Sequence, residues 1–431
     1  MLLVERHLIR SEHTFWKEID NLAFRSKNLY NLANYHCRQQ FFQTGRSISL
    51  TDLYHKVKAT VAYHALPTKV SKQIIRKLTQ NWTGYFEAVK AYGIEPSKFQ
   101  AAPRIPRYKH KTRGRNILIY PETAYCKRTL RNIGQIKLSM CNIQFPTSVT
   151  VDNIFEVRIV PSVNCYVIEV VYELCDSHKP KLNRDLVAGI DLGVNNLAAV
   201  TANKKGFQPF VINGLPLKSI NQGYNKRRSQ LQSILERKSQ GKKKSSRQLD
   251  RLTFRRNCQV ENYLHHTSRL IVDRLVAVGV GTLVIGKNDG WKQSANMGRK
   301  SNQEFVQIPH AKLIEKLTYK AQLVGIRVIV TEESYTSKAS ALDLDELPIY
   351  DPSNQIKPSF SGRRLTKKRG LYKSKNGSFV SSDCNGSLNI IRKVIPNAFS
   401  AEGIEVSAVI PVRLNPLRKV RAAPVLDSID T

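Results

Sequence analysis

Acidic side chains recur in the second half of the chain where apolar runs end or a helical pattern begins. These residues are Asp191, Glu332, Glu333 and Asp383. A carboxylate at the end of a buried strand is costly unless it is paired or binds a metal. Three converging carboxylates could hold two divalent cations about 4 Å apart, an arrangement that suits phosphodiester hydrolysis. Ligation by oxygen favours Mg²⁺ or Mn²⁺. The simpler alternative is that Asp191 only caps the turn that follows it.

The elements that must position these carboxylates follow a regular order. A hairpin with a Gly/Asn turn at 193–196 joins two short strands. Later strands are predicted at 209–213, 282–286 and 327–331, with a helical pair over 217–278, a helix over 309–323 and a helix from 383. The order strand, strand, strand, helix, strand, helix, strand, helix is the plan of an RNase H-like α/β domain.

The first half of the chain shows two other patterns. Over residues 14–92 the apolar side chains recur at helical spacing, most clearly between Ile74 and Val89, and the aromatic residues there are predicted to form a core. Between 117 and 174, several stretches alternate apolar and polar residues, as half-buried antiparallel strands do. A small β-barrel is expected from these strands, and the short alternation over residues 1–12 predicts an edge strand.

The charge balance indicates a polyanionic partner. The 431 residues include 69 Lys and Arg against 33 Asp and Glu, a formal net charge of +36. This excess favours nucleic acid. Basic residues concentrate in the Pro-rich segment 103–113, which either tracks a nucleic-acid backbone or is a solvated linker, and in the helical pair, where thirteen Lys and Arg accompany two acids between Lys218 and Arg256. The candidate nucleic-acid-binding residues are Arg104, Arg107, Lys109, Lys242, Lys243, Lys244, Arg255 and Arg256.

The sequence indicates neither a membrane protein nor a protein stabilised by disulfides. The sequence has no run of about 18 apolar residues, and its N-terminus lacks the plan of a signal peptide. Seven scattered cysteines, without a Cys-x-x-Cys pair, form neither a disulfide framework nor a recognisable zinc site. We therefore expect a soluble, intracellular protein with reduced cysteines and no membrane partner.

Four motifs give the chain a resemblance to a known family. They are Gly189-Ile-Asp-Leu-Gly-Val-Asn-Asn196, Leu317-Thr-Tyr-Lys-Ala321, Glu333-Ser-Tyr-Thr-Ser337 and Asp383-x-Asn-x-Ser-Leu-Asn-Ile390. In this order, and with coverage of nearly the full length, the chain resembles TnpB (OrfB), the transposon-encoded relatives of the type V CRISPR effectors.

The resemblance implies a multidomain α+β fold. A wedge-like β-barrel (1–13 and 100–180) would carry an inserted helical recognition lobe (14–99). A RuvC-like, RNase H-fold nuclease (186–334 and 383–396) would follow, with a C-terminal tail at 397–431. It also implies a transposon-associated, RNA-guided DNA endonuclease whose partners are target DNA and a guide RNA from the transposon end. Its expected location is the bacterial cytoplasm, at the nucleoid.

The chain departs from the family at two places. The family's fourth strand usually ends in Val-Ile-Glu, whereas this chain has Val284-Ile285-Gly286. The family also usually carries a four-cysteine zinc ribbon, but residues 335–382 contain no cysteine. We therefore expect a degenerate, basic segment at 335–382 and no structural zinc.

The missing glutamate leaves competing hypotheses. A carboxylate on the neighbouring fifth strand could replace it, and because side chains alternate faces, only one of Glu332 and Glu333 can do so. Glu333 is the predicted one, with Asp289 a weaker candidate, so the predicted catalytic and metal-binding set is Asp191, Glu333 and Asp383. Otherwise Glu333 is a solvated acid or pairs with the following basic loop. The protein is then a nuclease-dead, RNA-guided DNA-binding protein of repressor type, or binds nucleic acid without a guide.

Overall fold

The computed structural model describes residues 1–174, 180–241, 243–288, 299–350, 358–365, 370–399 and 410–417. The chain divides into two compact units, Met1–Ser177 and His178–Thr431. In the described ranges, no helix is long and apolar enough to cross a membrane.

The first unit contains both helices and short sheets. Its helices are α1 Trp16–Thr44, α2 Leu50–Val57, α3 Val61–His64, α4 Thr68–Ile94 and α5 Lys127–Ile133. Its strands are β1 Leu2–Arg10, β2 Leu118–Pro121, β3 Gln135–Lys137, β4 Gln144–Pro146, β5 Ile154–Ser162 and β6 Cys165–Glu173.

The helices of the first unit pack around Trp82. This side chain is fully buried, and its indole Nε1 donates a hydrogen bond to Asn34 Oδ1 at 3.0 Å, which satisfies the buried N–H. The ring of Phe41 lies 5.4 Å from that of Trp82. The prediction that this tryptophan belongs to the core is confirmed. Within the helical pattern predicted over residues 14–92, α2 and α3 are separate helices, because Thr60 caps α3 with its side chain.

The strands of the first unit form two separate sheets in the described residues. Four strands pair antiparallel in the order β1-β6-β5-β2, and β3 pairs with β4 alone. β1 pairs with β6 along its whole length, from Leu2 opposite Glu173 to Arg10 opposite Cys165. The predicted edge strand is confirmed, whereas the strands expected in one small barrel are divided between these sheets.

The second unit is built on a larger sheet. Its strands are β7 Asn183–Leu192, β8 Asn196–Ala202, β9 Phe210–Asn213, β10 Val280–Gly286, β11 Arg327–Thr331, β12 Arg363–Arg364, β13 Leu371–Lys373, β14 Phe379–Ser381 and β15 Val412–Leu414. Its helices are α6 Leu215–Ser239, α7 Arg247–Ala277, α8 Arg299–Gln307, α9 His310–Leu323 and α10 Ser382–Val394. The strands and helices predicted from 186 to 331 and from 383 are all found, with β12 to β15 and α8 in addition.

The large sheet has the order β11-β10-β7-β8-β9-β15. β7, β10 and β11 run parallel, whereas β8 is antiparallel to β7. Ile285 is paired with Ile190, and Gly286 with Thr331. The register therefore brings Asp191 and Gly286 to the same level, near the carboxyl ends of adjacent parallel strands.

Both faces of this sheet are covered, as expected for a sheet with a parallel core. One face packs against α7 and α9. On the other face, Ile390 and Ile391 of α10 pack against β7 and β10. The Ser387 hydroxyl donates to the Gly189 carbonyl at 2.8 Å and lies 2.8 Å from the Thr201 hydroxyl. These contacts fix α10, and hence Asp383 in its first turn, against the strand that carries Asp191.

The segment where the family has its zinc ribbon is partly regular here. β12, β13 and β14 form an antiparallel sheet around the buried Tyr372 and Val380. Asp345 accepts hydrogen bonds from the backbone N–H groups of Ser340 and Ser361 at 2.7 and 3.1 Å. Asp343 accepts from the Lys375 N–H at 2.9 Å. The carboxylate hub, as we call Asp343 and Asp345, thus joins three separate stretches of chain.

We expect the purified protein to contain no stoichiometric zinc. A structural zinc site needs four ligands, usually cysteine or histidine, and residues 335–382 contain neither. Elemental analysis of the protein after gel filtration measures this. One zinc per chain that persists after dialysis would contradict the expectation.

Candidate functional site

Asp191 lies on β7 directly against the start of α10. A Cβ atom added to Gly386 would be 2.7 Å from Asp191 Oδ2 and 3.2 Å from its carboxyl carbon. The carboxylate therefore occupies the space that any larger residue at 386 would fill. Since α10 begins at Ser382, this contact also brings the Asp191 carboxylate to the same end of the helix as Asp383.

Substituting Gly386 by alanine tests this contact. The added methyl group must displace the Asp191 carboxylate, and a misplacement of about 1 Å costs a reacting group about a hundredfold in rate. We expect DNA cleavage by Gly386→Ala to fall by about that factor. Gly223→Ala, on α6 with no atom within 4 Å of the added Cβ, is the matched control and should cleave normally. Normal cleavage by Gly386→Ala would show that cleavage does not depend on the position of the Asp191 carboxylate.

Asp383 is oriented by an asparagine of the β7–β8 hairpin. The Asn196 amide nitrogen donates to Asp383 Oδ2 at 2.6 Å. Its amide oxygen in turn accepts from Arg413 Nη2 of β15 at 2.8 Å. Because Arg413 can only donate, it fixes which end of the amide faces Asp383. The chain Arg413–Asn196–Asp383 thus holds one carboxylate oxygen and leaves Oδ1 for another ligand.

Glu333 extends towards the space that Gly286 leaves empty. A Cβ at position 286 would be 2.8 Å from Glu333 Oε2 and 2.6 Å from the Ile390 side chain. Asn288 holds the base of this arrangement, because its Oδ1 accepts from the Glu333 N–H at 3.0 Å and its amide nitrogen lies 3.4 Å from Glu333 Oε1. The strand next to β10 therefore delivers a carboxylate to the position where the family has its glutamate.

Glu332 points to a different partner. Its carboxylate pairs with the ammonium group of Lys393 on α10, which is nearly buried. Glu332 also accepts a hydrogen bond from the Ser334 N–H at 2.7 Å. These interactions hold the pKa of Glu332 below its usual value despite the opposing effect of burial. The two adjacent glutamates are thus separated, as the alternation of side chains along a strand predicts.

Asp191 and Glu333 both have raised pKa values, for partly different reasons. Burial, with added repulsion from Asp383 and Glu333, raises the pKa of Asp191 well above its usual range, and Arg364 acts in the opposite direction. Burial, together with the charge of Glu332, raises the pKa of Glu333 to about 7. The charged form of Asp191 is thus disfavoured by burial and by two neighbouring carboxylates, and a cation at this place would stabilise it.

The donor chemistry fits a hard divalent cation, although the side chains are not closed into a coordination shell. In the part of the chain that the structure describes, no group of three His, Cys, Asp or Glu side chains is placed to hold a metal ion. Asp191, Glu333 and Asp383 supply only carboxylate oxygens, the ligands that Mg²⁺ and Mn²⁺ prefer. The type of ligand atom therefore matches these ions. Asn196 orients Asp383, and Asn288 orients Glu333.

The predicted basic residues of the first unit lie on an extended segment. Arg104, Arg107 and Lys109 are all exposed. The backbone of this segment is bound by α1: Asn34 Nδ2 donates to the Pro106 carbonyl at 3.0 Å, and Lys27 Nζ to the Lys111 carbonyl at 2.6 Å. The segment is therefore anchored to the helix, and its cationic side chains remain accessible.

The predicted basic residues of the helical pair differ among themselves. Lys243, Lys244 and Arg255 are exposed. Arg256 is held within the unit, because its guanidinium donates to Asn221 Oδ1 at 2.8 Å and to the Gln307 carbonyl at 2.9 Å. This geometry makes Arg256 a bridge between helices, so we leave it out of the nucleic-acid surface. Lys242, like Asp289, lies outside the described residues.

Residues that position the carboxylates were missed in the sequence. Asn196, Asn288 and Gly386 act on Asp383, Glu333 and Asp191, respectively, and each of these carboxylates is distant in sequence from the residue that acts on it. Two of them, Asn196 and Gly386, stand inside the motifs quoted above, which was the available signal. Asn288, two residues after Gly286, stands in none of these motifs.

Two family models match the chain. The model of the IS605 OrfB family, described as a probable transposase, matches residues 165–292. The model of the Cas12f1-like TNB domain matches residues 310–390. The two matches include Asp191, Gly286, Glu333 and Asp383.

The chain is also similar to individual proteins. It is 23% identical to the TnpB-like protein ORF457 of Acidianus two-tailed virus over 415 residues, 88% of this chain and 84% of that protein. It is 26% identical to the CRISPR-associated endodeoxyribonuclease Cas12f2 of a Micrarchaeota archaeon over 217 residues, 48% of this chain and 37% of that protein.

Two solved structures are similar at 14% identity. A Cas12f1–sgRNA–target DNA complex has a TM-score of 0.34 and covers 90% of this chain and 98% of its own. A CRISPR–Cas12f ternary complex has a TM-score of 0.37, with 87% and 82% covered. The two family models and the viral relative agree with the four sequence motifs: the chain is similar to TnpB (OrfB) proteins, and its residues 335–382 contain no cysteine.

Proposed function

We propose that this protein is a transposon-associated, RNA-guided DNA endonuclease whose catalytic carboxylates are Asp191, Glu333 and Asp383. Its second unit would be the RNase H-like (RuvC-like) nuclease, since its elements follow the strand and helix order of that fold. Guide RNA from the transposon end and target DNA would be its partners. The first unit would combine the wedge-like sheet (1–13 and 100–180) with the helical recognition lobe (14–99).

One observation carries the choice of an active enzyme over a nuclease-dead binder. Glu333 Oε2 lies 2.8 Å from where a side chain at Gly286 would begin. In a nuclease-dead protein that had simply lost the glutamate of β10, nothing would require a half-buried carboxylate beside Gly286. Here Glu333 is such a carboxylate, and Asn288 holds it in place. Burying such a charge among other acids is costly, so its retention favours a functional role.

The residues of the site divide into ligands and supports. Asp191, Glu333 and Asp383 would hold Mg²⁺ or Mn²⁺, and the bound ions would supply an activated water and neutralise the departing 3′ oxygen. Asn196 presents Asp383, Asn288 presents Glu333, and Gly386 gives Asp191 room. Arg364 is close enough to lower the pKa of Asp191.

The basic surface should make binding strongly dependent on salt. Each phosphate contact adds a slope of about −0.9 in log K against log salt for duplex DNA, or about −0.7 for a single strand. We expect the double variant Lys243→Glu/Lys244→Glu to bind more weakly and with a shallower slope. Filter binding across a salt series measures both, and Lys243→Gln/Lys244→Gln should fall between it and the natural protein. Affinity that does not change with salt would rule out this surface.

Co-purification and library cleavage test the proposed function directly. The protein is expressed with its flanking DNA, the RNA that co-purifies is sequenced, and the complex is incubated with a randomised target library and Mg²⁺. We expect cuts at a fixed distance from sequence that matches the RNA. Guided binding without cutting would support the nuclease-dead alternative. Binding that ignores the RNA sequence would support a protein that needs no guide.

A further inference from the structure

A cluster of aromatic and cationic side chains is exposed on the surface of the first unit. Phe42 of α1 is 64% exposed and Tyr108 of the segment 103–113 is 45% exposed, both high for large rings. The guanidinium carbon of Arg38 lies 4.8 Å from the Tyr108 ring centre and 5.8 Å from that of Phe42. Arg38 therefore stands between two rings that come from different parts of the chain. We call Arg38, Phe42 and Tyr108 the stacking platform.

The platform is held in place without using its own side chains. Asn31 of α1 makes two hydrogen bonds to the backbone of Lys109, accepting from its N–H at 2.8 Å and donating to its carbonyl at 2.9 Å. Asn34 binds the carbonyl of Pro106 at 3.0 Å. These bonds flank Tyr108 on both sides and fix it beside the helix. A surface that is already ordered loses little conformational entropy when a ligand binds.

The two stretches of chain that carry the platform contain no acidic residues. Residues 21–51, which include most of α1, contain no Asp or Glu, and neither do residues 96–121. The exposed Arg107 and Lys109 stand on either side of Tyr108. Flat rings with cations around them match a ligand that has flat faces and negative charges. Unpaired nucleotides have both, whereas a duplex hides the faces of its bases.

We propose that the stacking platform binds unpaired bases of the guide RNA, an inference that rests on the proposed function. Single-stranded RNA is commonly bound by stacking bases on aromatic rings and on arginine planes. The guide must stay bound through every cleavage event, which suits a rigid site.

Binding of two RNA probes tests the proposal. The first probe is an oligouridine of about 12 nucleotides, within the usual site size for single strands, and the second is an RNA duplex of the same length. Phe42→Leu and Tyr108→Leu keep apolar bulk but remove a ring, and Arg38→Lys keeps the charge but removes the plane. We expect each variant to bind the single strand about tenfold more weakly and the duplex as the natural protein does. Ile94→Ala, which alters another exposed apolar side chain of the same unit, is the control and should change neither affinity.

The outcomes separate this inference from the proposed function. Unchanged binding of oligouridine, or equal losses for both probes, would overturn the stacking platform. An oligothymidine DNA of the same length serves as a third probe. If the variants lose affinity only for this DNA, the assignment to RNA is overturned and the platform binds the DNA strand instead. In each case, guided cleavage by the natural protein would still stand. Absence of guided cleavage in the natural protein would instead reject the proposed function, whatever the variants bind.

Discussion

Replacing Asp191 or Asp383 by alanine is expected to abolish DNA cleavage while leaving RNA binding intact. Each variant removes a carboxylate of the site and no cation of the basic surface. Residues that act as one catalytic unit typically cost a thousandfold or more in rate when one is removed, so we expect a loss of about that size. Cleavage of a labelled target and filter binding of the guide RNA measure the two properties.

A structural role for these aspartates would give a different result. Asp383 lies in the first turn of α10, and its loss could loosen the helix that packs on β7. Asp383→Asn keeps the size and the contact with Asn196 but removes the charge, so it separates the two explanations. We expect Asp383→Asn to be as inactive as Asp383→Ala and as soluble as the natural protein. Loss of RNA binding in the alanine variants would show that the aspartates are structural.

Replacing Glu333 by glutamine should abolish cleavage as fully as replacing Asp191. The change keeps the shape of the side chain near Gly286 and removes the charge that a divalent cation needs. Glu332→Gln is the matched control, since Glu332 pairs with Lys393 of α10. It should remain active, and we expect the same of Asp289→Asn. Cleavage by Glu333→Gln at the natural rate would reject the relocated glutamate.

An exchange variant makes the test of relocation stricter. Glu333→Gly/Gly286→Glu returns the carboxylate to the fourth strand, where the family usually has it, and removes the side chain that would collide with it. The remaining close contact is with the end of the flexible Ile390 side chain. We expect partial recovery of cleavage relative to Glu333→Gly alone. No recovery in a well-folded exchange variant would mean that position 286 no longer faces the site.

The sequence was sufficient for five of the six strands of the main sheet, all except β15, because these strands are long enough to show their pattern. The run before Asp191 and the run before Gly286 are continuously apolar, as strands covered on both faces are. Alternation along the strand predicts that only one of Glu332 and Glu333 faces the site, and Glu333 is the one that directly precedes the motif Ser334-Tyr-Thr-Ser337. In the structure the two side chains have different partners. Whether Asp191, Glu333 and Asp383 bind metal stays a prediction that the variants above test.

The parts that the sequence missed depend on contacts between distant residues or on very short elements. Strands of two or three residues, such as β12 Arg363–Arg364, are too short to show alternation. The amide of Asn196 acquires its role only when β15 brings Arg413 beside it. Arg256 was grouped with the exposed cations because nothing in the local pattern shows that Asn221 and Gln307 surround it.

The carboxylate hub of Asp343 and Asp345 has a consequence for how this part of the protein responds to its surroundings. A zinc ribbon gains stability by ligand linkage, so its folded fraction rises and falls with the concentration of free metal. Hydrogen bonds such as those from Ser340, Ser361 and Lys375 are internal to the chain. Their contribution is the same at any metal concentration. We therefore expect the folding of this segment to be independent of the zinc supply.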